Sequence, residues 1–242
     1  VGIMNFVSYW WSDKIVLWMY RAKQAKESEY LKLYKAVKEV SRLSGLPMPK
    51  VYVIPSEQSN AFATGRSPQH SAVAVTEGIM NLMTEEELKG VIAHEFSHIK
   101  NRDILIATVA GTIAGIISYT GNMFMWSAMF GGDDDNRGNI FSLILLAIIT
   151  PIIASMIQLA ISRSREYMAD ETGAKIVKNS HGLASALEKL EADVKRHPMR
   201  FGTQATAHLF IQNPFRTSGF MSLFLTHPPT HLRVQRLKEM KF

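Results

Sequence analysis

Residues 94–98 read His94-Glu95-Phe96-Ser97-His98. On a helix, a spacing of four puts both imidazoles on one face, where they can bind a single zinc ion. Glu95 would then lie beside the metal, placed to take a proton from its water. A catalytic zinc also needs a third protein ligand and one open position. A third histidine six residues on would fall at position 104, which is Ile104. The alternative is a glutamate from a separate helix, and Arg165-Glu166-Tyr167-Met168-Ala169-Asp170 supplies one. Glu166 and Asp170 share a helical face, so Glu166 can ligate while Asp170 accepts a hydrogen bond from a ligand histidine's other ring N–H. The expected centre is one zinc ion per chain on His94, His98 and Glu166, with Glu95 as general base and Asp170 behind a ligand.

The elements that must position these groups follow from pattern. Thr84-Glu85-Glu86-Glu87 is a helix start, a cap followed by acids in the first turn. The helix it opens runs through Leu88, Val91, Ile92 and Phe96, carrying the two histidines. Residues 27–43 show a one-faced apolar pattern ended by Gly45 and Pro47, a second helix. Val51–Ile54 reads as a strand stopped by Pro55. Residues 60–64 and 72–76 flank a polar connection and suggest an antiparallel hairpin. Further helices are expected over about 164–178, 183–196 and 230–241.

Between these parts the sequence turns apolar. Ile104–Gly132 and Gly138–Ser162 hold no charged residue, and each exceeds the roughly 20 residues that span a bilayer. They are expected to form a transmembrane hairpin. Its turn carries Asp133, Asp134 and Asp135 against Arg137, while Lys100, Arg102, Arg163 and Arg165 flank the other ends. The positive-inside bias puts those ends in the cytoplasm. A continuing helix would leave His98 about 9 Å before the first span and Glu166 about 6 Å beyond the second, so the hairpin brings both ligand sets to one membrane face. Trp10, Trp11 and Trp18 crowd the first 21 residues, with Asp13 and Lys14 interrupting, as in an interfacial amphipathic helix.

The organisation expected is a membrane-interface segment (1–26), a first part with the histidine-bearing helix (27–102), the hairpin (103–162) and a second part with the third ligand (163–242). The fold class is α+β, a small antiparallel-containing sheet in a domain interrupted by the hairpin. The absence of cysteine excludes disulfide scaffolds, thiol nucleophiles and cysteine-ligated clusters. The net charge of +6 is explained by a membrane-facing cytoplasmic surface, and no clustered basic helix points to nucleic acid.

HEFSH (94–98), SRSREYMAD (162–170), NAFATG (60–65) and THPPTHLR (226–233) together resemble the motifs of HtpX-type membrane metalloproteases, relatives of the CaaX prenyl endoproteases with a gluzincin-like architecture. The resemblance covers nearly the whole chain. It implies zinc at His94, His98 and Glu166, Glu95 as base, and a role in membrane-protein quality control. It also implies that His227 and Arg233 line the active site, where one or the other would stabilise an oxyanion. It further suggests that Asn60, Ala61, Phe62 and Ala63 form an edge strand holding extended substrate by strand addition. Substrates would be membrane proteins or unfolded polypeptides, met at the cytoplasmic face of the inner membrane. Proteins of that type carry two spans ahead of the region starting here, so a piece of a longer protein is expected. The alternatives are a CaaX-type prenyl endoprotease, whose intramembrane chamber needs more helices, and a catalytically idle metal-stabilised membrane adaptor, which would have no use for Glu95.

Overall fold

The structure, a computed structural model, describes residues 2–130, 137–197, 210–212 and 227–242. The acidic turn at 131–136 lies outside the described residues, as does Thr226 of the last motif.

Four short strands form one mixed sheet in the order β1 (Lys23–Gln24), β2 (Lys50–Ile54), β4 (Ala72–Thr76), β3 (Ala61–Thr64). The expected hairpin is present, with β3 antiparallel to β4. β2 lies parallel to β4, and β1, which no sequence pattern announced, pairs antiparallel with β2. Both faces of β4 are covered, as its uninterrupted Ala72-Val73-Ala74-Val75 run suggests. Val73 and Val75 pack with Leu33 and Val37 of α2 (Leu31–Ser44) and with Leu88, Ile92 and Phe96 of α4 (Glu85–Lys100). Ala72 and Ala74, one residue out of phase, face Phe62, Tyr20 and Phe210.

The first helix, α1 (Gly2–Met19), reaches that second cluster through Val16 and Leu17. Its other face presents Trp10, Trp11, Ile15 and Trp18, and Arg66 stacks on the Trp10 ring. The segment 1–26 therefore carries both a core-facing end and an exposed aromatic face.

A short helix, α3 (Glu77–Leu82), leads from β4 to α4. At the start of α4, Glu87 N–H donates to Thr84 Oγ1 and Thr84 N–H to the Glu87 carboxylate, the capping box its sequence spells. That carboxylate also accepts from Ser185 and Lys189 of α7 (His181–Arg196), which locks the two helices together. Burial works against the Glu87 charge, yet these bonds win and take its pKa down to about 2.

The helix bearing the histidines does not continue straight into the first span. Asn101 caps it and Arg102 takes a left-handed φ of 54°, after which α5 (Asp103–Phe130) starts in a new direction. The return is simpler than expected. The second span and the predicted helix after it are one continuous rod, α6 (Arg137–Val177), of 41 residues. At about 1.5 Å per residue it is some 60 Å long, long enough to cross a bilayer and still enter the protein interior. Near its inner end it touches α4 backbone to backbone. A Cβ on Gly173 would meet His94 N at 2.9 Å, so only glycine lets the two helices approach this closely. The C-terminal helix, α8 (Thr230–Glu239), covers this junction with Val234 and Leu237.

Two helices are long and apolar enough to cross a membrane, α5 over Asp103–Met123 and α6 over Ile144–Val177. Only 6% and 11% of their most apolar stretches are buried, which excludes the core of a soluble domain as their environment.

Candidate metal centre

The centre lies where α4 and α6 touch. His94 is fully buried and His98 largely so, their rings edge to face with centroids 4.7 Å apart. Glu166 projects from α6 between them. His94 Nε2 and His98 Nε2 are 3.1 Å apart, and the Glu166 oxygens lie 3.8 Å from the first and 3.6 Å from the second. Ligands about 2.05 Å from a tetrahedral ion are about 3.3 Å from one another, so these spacings bracket what one zinc requires.

The far side of each ring shows which way its lone pair points. His94 Nδ1 is 2.9 Å from Asp170 Oδ1, a short though bent approach, and His98 Nδ1 is 2.7 Å from Asp103 Oδ2. Carboxylates accept, so each Nδ1 carries a proton, and each Nε2 is the atom left to give its lone pair to a metal. Two ring nitrogens facing across 3.1 Å, with the buried Glu166 carboxylate 3.6 to 3.8 Å from them, fit a cation held among the three. Two imidazoles and one carboxylate form the donor set of catalytic zinc sites, which leave the fourth position to water.

Glu95 is buried beside the backbone N–H of Ala63. Burial, reinforced by the Glu166 charge, pushes its carboxyl up to about 7, although His98 and the Ala63 backbone N–H pull the other way. Such a group can hold and release a proton near neutrality. Burial lowers the His94 pKa, favouring the neutral imidazole that a metal needs. For His98 burial pulls the same way, but the Asp103 and Glu166 carboxylates outweigh it and lift the ring to about 9.

Arg233 departs from expectation. Its Nε and Nη2 donate to Asp170 at 2.8 and 2.7 Å, and its Nη1 donates to the Ile211 carbonyl at 3.1 Å and lies 3.2 Å from Glu166. Its donors are spent on groups behind the ligands, and it is 1% exposed. We therefore correct the expectation that it meets an oxyanion: Arg233 braces Asp170 and Glu166. His227 is the better placed of the two. Its Nδ1 is 3.0 Å from Glu166, and its buried Nε2 has no partner among the described residues.

The expected substrate strand is only partly open. β3 is the sheet edge next to α4, as anticipated. Thr76 N–H donates to Asn60 O, so Asn60, Phe62 and Thr64 turn their backbone groups to β4, while Ala61 and Ala63 turn theirs outward. Ala61 is already engaged: its carbonyl accepts from Ile211 N–H at 3.0 Å and its N–H donates to Asn60 Oδ1. The Asn60 amide holds the Gln212 carbonyl, and the Phe62 ring packs edge-on to Phe210 at 5.1 Å. Asn60, Ala61 and Phe62 thus anchor residues 210–212, and the outward edge left beside Glu95 is that of Ala63.

Two residues of the site escaped sequence reasoning. Asp103 had marked only the end of an uncharged stretch, and on an unbroken helix it would sit about 140° round from His98. The turn at Arg102 brings it back. Arg165, adjacent in sequence to Glu166, binds Asp103 through Nε at 2.6 Å.

A capped helix bearing both imidazoles, a carboxylate from a second helix and a sheet edge alongside define a metallopeptidase of the gluzincin type. Comparison with known proteins agrees. Residues 27–241 match peptidase family M48. The HtpX protease homologue of Pyrococcus furiosus is 54% identical over 239 residues, 98% of this chain and 83% of that protein. That of Aquifex aeolicus is 53% identical over 246 residues, 99% of this chain and 81% of its own length. The crystal structure of S. mikatae Ste24p superposes with a TM-score of 0.66 at 19% identity, covering 97% of this chain and 56% of that one. The chain belongs to peptidase family M48, and it is a membrane metalloprotease.

Proposed function

We propose that the protein is a zinc endopeptidase that cleaves misfolded or damaged membrane proteins at the cytoplasmic face of the inner membrane. The observation that carries this reading is the convergence of His94, His98 and Glu166 next to Glu95, with β3 alongside at Ala63. Zinc held there would supply Lewis acidity towards the scissile carbonyl and acidify the attacking water. Glu95 would take a proton from the attacking water and pass it to the leaving amine. His227, buried beside Glu166, is placed to stabilise the oxygen that becomes negative as the carbonyl is attacked. The outward side of β3 at Ala63 would hold the substrate backbone as an added strand, through main-chain groups that every peptide offers, which suits unfolded chains of varied sequence.

Lys100, Arg102, Arg163 and Arg165, at the ends of α5 and α6 nearest the site, support a cytoplasmic location through the positive-inside bias. Substrates embedded in lipid would reach Glu95 where the spans emerge.

The test compares Glu95→Gln with the parent chain in lipid nanodiscs, on casein and on a misfolded membrane substrate. The variant should bind zinc normally and lose cleavage about 10²- to 10⁴-fold. Cleavage of casein at the parent rate would refute the role of Glu95. Cleavage of a prenylated peptide alone would favour the CaaX-type reading.

A further inference from the structure

Each ligand imidazole is backed by a carboxylate, and each carboxylate by an arginine. His94 is held by Asp170, which Arg233 clamps through two nitrogens from α8. His98 is held by Asp103, which Arg165 grips through Nε and Nη2. The first relay joins α4 and the inner end of α6 to α8. The second is built from the membrane hairpin: Asp103 is the first residue of α5, and Arg165 stands on α6 directly before the ligand Glu166. Arg165 Nη2 also donates to the Asn101 carbonyl at 3.2 Å, which fixes the turn that aims Asp103 at His98.

We propose that Asp103 is a positioning residue for the metal, holding His98 with Nε2 towards the ion, and that its ion pair with Arg165 makes this hold depend on the two hairpin helices staying together. The proposal rests on the ligand assignment above. Three observations carry it. Asp103 is 9% exposed, so its charge is not there for solvent. Its two oxygens divide between His98 and Arg165, which leaves neither partner competing for the same atom. Its position follows from the left-handed turn at Arg102, which brings it round the helix axis to face His98.

An acid in the first turn of a helix also favours the helix dipole. That structural role would alter stability and leave metal affinity untouched, so the two roles separate in one experiment. The whole chain, in nanodiscs and stripped of metal, is titrated with zinc against a chromophoric chelator, and cobalt absorption spectra are recorded in parallel. Asp103→Ala is expected to bind zinc about 10- to 100-fold more weakly and to shift the cobalt bands. Arg165→Gln should weaken binding in the same direction by less. Asp103→Asn keeps the shape and an acceptor for His98, and should fall between them; with Arg165→Gln it decides the matter if Asp103→Ala does not fold. Parent-like affinity and cobalt spectrum in the Asp103 and Arg165 variants, with binding lost in His98→Ala, would overturn the proposal and leave the ligand assignment standing. Parent-like affinity in His98→Ala would overturn the assignment itself.

Discussion

The two halves of α6 are one helix in two solvents. From Ile144 to Ile157 it shows Leu145, Ile148, Ile152, Ile153 and Met156 outward, each about half exposed. From Glu166 to Ala174 the pattern inverts: Glu166, Asp170, Ala169 and Ala174 are buried, and the two acids sit among imidazoles and an arginine. Such a distribution is unstable in water for the first half and in lipid for the second. The contrast shows how the chain places a buried charge cluster: the membrane fixes the rod along its length, and the cluster needs only side chains of the right polarity at its inner end.

The largest effect expected is on that cluster. Replacing Arg233 by Met, of similar volume, leaves Asp170 and Glu166 buried with their cation gone and should cost about 3–5 kcal/mol, read as a lower unfolding midpoint in detergent. Near the middle of the lipid half, Ile152→Arg should cost about 3–4 kcal/mol of insertion free energy, seen as a smaller membrane-integrated fraction with the metal site intact in the molecules that insert. Equal outcomes at both positions would erase the contrast.

A finer probe is pH. Glu95, buried by the same packing, has its pKa raised from 4.5 to about 7. The folded metal-free chain therefore binds more protons than the unfolded one between those values, and its stability falls as pH rises from 4.5 to 7. Metal-free Glu95→Gln should accordingly be more stable than the metal-free parent by about 3 kcal/mol above pH 8, and no more stable near pH 4. Thermal melts across that range give the difference, and a gap independent of pH would show that Glu95 is not desolvated.

Much of this was legible in the sequence because the signals are local. The histidine spacing, the Thr84–Glu87 box and the Glu166–Asp170 pair are all within-helix relations of three or four residues. The spans declare themselves by composition alone. The bend at Arg102 left no trace, because arginine gives no notice of a left-handed turn as glycine would, and Asp103 was hidden with it. Arg233 misled for a different reason. Arginine in an α-helix is ordinarily exposed, and its burial is set by two carboxylates more than 60 positions away, a relation no local pattern encodes. The engagement of β3 by residues 210–212 is likewise a pairing between distant segments.

The central claim is that two helices deliver His94, His98 and Glu166 to one ion. Diffraction from zinc-loaded crystals at the zinc absorption edge tests it directly. The account predicts a single anomalous peak per chain about 2.0–2.2 Å from both Nε2 atoms and a Glu166 oxygen. A peak bound elsewhere, with the two histidines and Glu166 left unliganded in the loaded protein, would contradict it.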